Sequence, residues 1–346
     1  MSAKPTNVCA AFSDHHPKNE NQIIQKIMAY ELKITDAELA KSAVTYRKEL
    51  LTMPVIAAQA TLQHMSARPG VAGREVVGEL SGDIELGPYN ATRVDDKDVA
   101  VKSRTLETFL GSVIKRFDPN SAAKTVYGSL TTQGEALASV DIAQQVLYFL
   151  AAKLGGALNK SIWSAKRNES GDTTAALFNG FDTITTDEIT ATNISTAKGN
   201  LVEIGEAITK TNAYDVLTSL YNSASDELKE QQVKMYLPGD VYRAYCDDYL
   251  AHFGAVPYNT QYKKTFLEGS DGLCELVPLA SKKGSKYIHI APQGNMLYGY
   301  GDGMADEKIA IEKHHEFLLS FVATMFFGVQ FESISPERLM VGKLTV

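Results

Sequence analysis

The sequence predicts an α+β fold, and three observations carry that prediction. Leu137, Val140, Val146, Leu147, Leu150, Leu154, Leu158 and Ile162 recur at three- and four-residue steps, the period of one long helix. The last ninety residues break instead into short apolar runs rich in β-branched and aromatic residues, the mark of strands. Between an N-terminal helical region and that long helix lies a polar ribbon, "GVAGREVVGELSGDIELGPYNATRVDDKD". In it Leu80, Ile84 and Leu86 alternate with Asp83 and Glu85. That is the period of a strand with one wet face, in a stretch too polar to be a core strand of its own domain.

The elements follow in chain order. Residues 1–20 read as an arm with little periodicity. Helices are expected at Gln22 to Glu31 and from Thr35-Asp-Ala-Glu38, a capping-box spacing, to about Thr52, where Pro54 stops it. "MSARPGVAG" is a boundary before the ribbon, which turns at Gly87-Pro88-Tyr89-Asn90. "VAVKSRTLETFLGSVIKRF" reads as one strand, broken by Asp118-Pro119-Asn120. Thr132-Gln-Gly-Glu135 caps the long helix, which runs to about Lys166, or about 45 Å at 1.5 Å per residue. Helices are expected again at Thr196 to Lys210 and Tyr214 to Asn222. "QVKMYL" is a strand ending at Pro238-Gly239. Asp240 caps a helix faced by Val241, Tyr242, Tyr245, Tyr249 and Phe253 and closed by Gly254. "CELVPLA", "KYIHIA", "NMLYGYG", "KIAIEKH" and "EFLLSFVATMFFGVQF" are strands.

Composition narrows the function. A chain of 346 residues with 44% apolar content can bury a large core, as two domains or one mixed one. The net charge of −7 gives no basic footprint for tight nucleic-acid binding. Cys9, Cys246 and Cys274 are far apart, odd in number and without a CxxC pair, which points to a reducing compartment. There is no apolar leader, and no run reaches the ~20 apolar residues of a membrane span. The chain reads as soluble and made in a cytoplasm, so the sequons at Asn90, Asn168 and Asn193 carry no glycan.

No chemical motif stands out. His314 and His315 are adjacent on a strand and point to opposite faces. "GYGDG" at 299–303 lacks phosphate-loop spacing and reads as a turn, and "KKGSK" at 282–286 reads as a hairpin turn. Asp247 and Asp248 diverge on their helix and read as a solvated face, with Cys246 beside them a core thiol. No catalytic, metal or cofactor site is expected.

The order of the pieces resembles the major capsid proteins of tailed bacteriophages with the Hong Kong 97-type fold. "LASVDIAQQVLYFLAAKLGGALNKSIWSA" is similar to the family's spine helix, and "AALFNGFDTI" to the short apolar-glycine phrase after it. "VKMYLPGDVYRAYCDDYLAHFG" resembles the strand, proline turn and helix of the axial domain. "HHEFLLSFVATMFFGVQFESISPERLMV" resembles the C-terminal strand and its closing proline-containing segment.

The resemblance implies an N-terminal arm with helices over 1–69, an extended β-hairpin loop over 70–104 and a peripheral domain with the spine helix over 105–180. It further implies a mainly axial domain over 181–305 and a C-terminal return to the peripheral domain over 306–346. It makes the chain a structural protein, not an enzyme, that assembles into hexamers and pentamers of an icosahedral head enclosing phage DNA. The ribbon becomes the loop that lies across a neighbouring copy, with Leu80, Ile84, Leu86, Arg93 and Lys97 as intersubunit contacts. Partners are other copies, then portal, scaffold or decoration proteins, and double-stranded DNA held by weak non-specific contact. The location is the virion, after synthesis in the host cytoplasm. Some members cross-link a loop lysine to a neighbour's asparagine with help from a glutamate. Lys97 or Lys102 could supply the lysine, but the other two places fall near Ser320 and Phe327, so cross-linking is not expected. An encapsulin-like compartment shell is the alternative, and a cytoplasmic enzyme a more distant one.

Overall fold

The computed structural model describes residues 54, 57–81, 89, 100–117, 142–254, 265–315 and 318–345. The arm and its two expected helices, the 82–99 part of the ribbon except Tyr89, the Asp118-Pro119-Asn120 break and the cap at 132–135 lie outside them.

In chain order, α1 (Gln59–Leu62), β1 (Ser66–Pro69), β2 (Arg74–Ser81), β3 (Ala100–Glu107) and β4 (Phe109–Phe117) precede the long helix α2 (Ile142–Ser161). Then come α3 (Phe181–Thr190), β5 (Leu201–Ile204), α4 (Ala213–Asn222), α5 (Asp226–Lys229), β6 (Val233–Pro238) and α6 (Gly239–Phe253). The chain closes with β7 (Thr265–Phe266), β8 (Cys274–Leu279), β9 (Tyr287–Ala291), β10 (Met296–Tyr300), β11 (Lys308–His315), β12 (Leu318–Phe331) and β13 (Met340–Leu344).

The six-stranded sheet, in order β5-β13-β9-β6-β8-β7, is buried on both faces, which is why its strands read as near-continuous apolar runs. Met235, Leu237, Ile288 and Ile290 face α4 and α6, in one core with Leu217, Leu220 and Tyr245. Tyr236, Val277, Ala291 and Val341 belong to a second core with Leu158, Ile162 and Trp163 at the end of α2, Phe181 of α3, and Phe327 and Phe331 of β12.

In the five-stranded sheet β12 is the axis. β4 pairs along one edge, from Leu319 to Phe327. β10 and β11 pair end to end along the other, as one strand interrupted by residues 301–307. Glu307 mends the interruption. Its buried carboxylate accepts from the Phe326 amide at 2.9 Å and the Gly303 amide at 2.7 Å, standing in for the missing backbone partner.

Several expectations need correction. The segment 196–210 is not a helix: a short 3₁₀ turn ends at Gly199 in the left-handed region, and β5 follows, paired with β13 some 140 residues later. Leu201, Val202 and Ile204 fit a strand period as well as a helical one, and the distant partner decides. The single strand expected at 99–117 is two, β3 and β4, separated by the buried Thr108. Gly239 is already the first residue of α6 and extended Pro238 its N-cap, so Asp240 lies in the first turn without capping. The 280–286 turn does not make a hairpin. It carries the chain over β6, because β8 and β9 flank that strand on opposite sides, and its Lys282 is wholly buried. Asp248 is not solvated either. It is 1% exposed, accepts the Tyr214 amide at the start of α4 at 2.8 Å and meets His252 Nδ1 at 3.1 Å. Leu158 and Ile162 are the buried face of the long helix, with Leu154 half-buried beside them. The side chain of Leu147 is outside the described set.

Candidate assembly interface

β2 and β3 form an antiparallel ribbon of their own, in register from Arg74↔Glu107 to Ser81↔Ala100. Alternation gives it two faces. Val77 and Leu106 turn inward, buried against Val71 and Leu297. Val76 and Val101 turn outward, 74% and 69% exposed. The root of the ribbon therefore has a small core in its own subunit, which the expectation of a ribbon without local packing missed. Val77, one step out of phase with Leu80 and Ile84, was the available sign.

Polar contacts hold the inward face down. Arg104 reaches α3, with Nη2 at 2.6 Å from Glu188 and 3.2 Å from the Gln330 amide oxygen. Gln330 in turn donates to the Thr105 carbonyl at 3.1 Å. Glu79 accepts from the buried Ser333 hydroxyl at 2.6 Å, near the Arg338 guanidinium that pairs with Glu332 at 3.0 Å. Arg104 and Glu188 are each less than one-fifth exposed, so this ion pair is shielded in a way surface pairs are not.

Where the ribbon enters the sheet, Thr108 pins both strands. Its hydroxyl donates to the Val71 carbonyl at 2.9 Å and accepts from the Gly73 amide at 3.0 Å, while its own amide donates to the Gly73 carbonyl at 2.7 Å. Gly73 sits at φ +97°, a conformation that favours glycine. Gly299 and Gly328 let the crossing chain lie directly on the sheet: a β-carbon on Gly328 would meet the Glu107 carbonyl oxygen at 2.0 Å.

Of the sequence-predicted contact residues, Leu80 lies on β2 opposite Val101. Ile84, Leu86, Arg93 and Lys97 lie outside the described residues. Residues that composition could not flag, Thr108, Arg104 and Glu188, position the ribbon.

A second polar cluster is closed to solvent. Lys282 Nζ donates to Asp182 Oδ1 at 3.1 Å and to His289 Nδ1 at 2.9 Å, and sits 3.6 Å over the Trp163 ring. Burial pushes its ammonium down to about 8, with Asp182 acting the other way. Burial, with the Lys282 charge beside it, holds His289 well below its usual range. Both side chains are wholly buried, so no substrate reaches them. Among the described residues no group of three or more His, Cys, Asp or Glu could hold a metal, and no helix is long and apolar enough to cross a membrane. What the ribbon and its root offer is placement of a surface.

No family model and no curated protein sequence matches the chain. Among solved structures, it is similar to a chain of the satellite phage P4 procapsid, which includes the size determination (Sid) protein. The TM-score is 0.53 at 11% identity, over 85% of this chain and 99% of that one. It is similar also to the capsid of the native GTA particle, with TM-score 0.50 at 11% identity over 83% and 91% of the two chains. The capsid of the empty GTA particle gives TM-score 0.51 at 11% identity over 84% and 90%. At this identity the likeness is one of fold. The chain has the Hong Kong 97-type capsid fold.

Proposed function

We propose that the chain is a major capsid protein that assembles into hexamers and pentamers of an icosahedral phage head around double-stranded DNA. The observation that carries this reading is the near-complete overlap with a phage procapsid chain, 85% of one and 99% of the other, in a chain whose ribbon bares its outer face. The outward Val76 and Val101, and beyond them Leu80, Ile84, Leu86, Arg93 and Lys97, lie on a neighbouring copy in the assembled shell. A repeated closed contact between copies is the usual way to cover such a surface. The domain division follows the same reading: arm 1–69, loop 70–104, peripheral domain 105–180, axial domain 181–305 and return 306–346. Portal, scaffold or decoration proteins complete the head, DNA is held without sequence preference, and the protein passes from host cytoplasm to virion.

Electron microscopy and sedimentation of the purified protein test this. Closed shells containing nuclease-protected DNA after expression with the packaging machinery support it. A monomer at every salt and pH refutes assembly, and shells filled with a cargo protein identify a compartment of the encapsulin type instead.

A further inference from the structure

The buried cluster has a defined direction of hydrogen bonding. Thr185 has one hydroxyl proton, and it goes to the Phe181 carbonyl at 2.8 Å. His289 Nε2, 2.9 Å from the same hydroxyl, must then be the donor there. That leaves Nδ1 as the bare acceptor for Lys282 at 2.9 Å. A second ring proton has no place, because it would point at an ammonium.

The chain of bonds Asp182–Lys282–His289–Thr185 spans the seam between the six-stranded sheet, which carries His289 on β9, and the corner where α2 meets α3. That corner is backbone-bonded as well. The Gly180, Phe181 and Asp182 amides donate to the Ala165, Ile162 and Trp163 carbonyls at 2.8, 3.1 and 3.0 Å. The other groups facing the imidazole are the Trp163, Tyr287 and Phe331 rings, which bring no charge. Tyr236, against Trp163, stays protonated because burial raises its phenol. Asp182 faces the lysine, and among the described residues no carboxylate is bonded to His289 that could shelter an imidazolium.

We infer that this seam is an acid-operated joint: adding a proton to His289 breaks the chain of bonds and separates the six-stranded sheet from the α2–α3 corner. The separated state, in which the imidazole meets water, takes up the proton that the closed state refuses. Below the ordinary histidine value of about 6.5, opening therefore rises up to about tenfold for each pH unit. Lys282 biases the joint in the same sense at higher pH, since its buried ammonium is harder to keep than a solvated one. In a shell, acid would loosen each subunit along one seam without unfolding its outer core of α4 and α6.

Hydrogen exchange on the full-length protein, corrected for intrinsic chemistry, reads this from about pH 7 to about pH 5. The Trp163 indole N–H, which donates across the seam to the Ser281 hydroxyl at 3.2 Å, should lose protection by tenfold or more, while the amides in the middle of α6 keep theirs. His289→Gln presents a fixed acceptor and donor in place of the ring and should abolish the acid-linked loss. Equal loss in wild type and variant, or none in wild type, overturns the joint. An imidazole NMR titration of wild type reads the same point without a variant. His289 neutral throughout the range while closed supports it, and titration near the ordinary value with the Trp163 indole N–H still protected overturns it.

Discussion

Replacing Thr108 by valine removes one oxygen from the root of the ribbon and nearly nothing else. The residue is 3% exposed, and its Cγ2 is the nearest atom to the site a Gly299 β-carbon would occupy, so valine keeps the shape. What is lost is two hydrogen bonds, to the Val71 carbonyl at 2.9 Å and from the Gly73 amide at 3.0 Å. Leaving a buried polar group unsatisfied costs about 1–3 kcal/mol. Val71 is buried, whereas Gly73 is partly exposed and can recruit water, which places the sum at about 2–3 kcal/mol. Urea unfolding of the unassembled subunit should show that loss with an unchanged m-value. Thr108→Ser, which keeps the oxygen, should lose less than half as much. The second readout is assembly: a ribbon free to swing at its root should give fewer closed shells at equal subunit concentration. A Thr108→Val midpoint within about 0.5 kcal/mol of wild type would refute the pin, because surface-like substitutions fall in that range.

Three further outcomes are expected. Replacing residues 82–99 by a short Gly/Ser turn should leave circular dichroism and the urea midpoint near wild type, because the root keeps Val77 and Leu106 in its own core, while electron microscopy shows no stable shells. Leu158→Ala, at a helix position 1% exposed, should cost about 2–5 kcal/mol in the denaturant midpoint. Lys282 binds its proton more weakly folded, at about 8, than unfolded, at 10.5, so its contribution to stability rises with pH across that window by about 3 kcal/mol. The difference between wild type and Lys282→Met, measured from about pH 7 to about pH 10, should show that rise, and a flat difference would contradict it.

The amino-acid sequence alone determined the fold class, because long helices and paired strands leave periods of 3.6 and 2 that few other constraints erase. Leu158 and Ile162 mark the long helix, and the apolar runs of β6, β8 and β9 mark strands covered on both sides. The Pro238 and Gly254 ends of α6 were equally local, since one restricts φ and the other accepts the left-handed turn. Only the tertiary structure decided the rest. β5 is a strand because β13 lies beside it, and nothing within residues 196–210 states that. Thr108 divides one β-branched run into two strands because its bonds go to Val71 and Gly73, more than thirty residues earlier. Lys282 sits in a stretch that reads as a solvated basic turn, and it is buried because an acid, an imidazole and an indole from three other elements converge on it. Period is a property of neighbours in the chain. Burial of a charge depends on partners brought from elsewhere, and those partners are fixed only when the sheets and helices have packed.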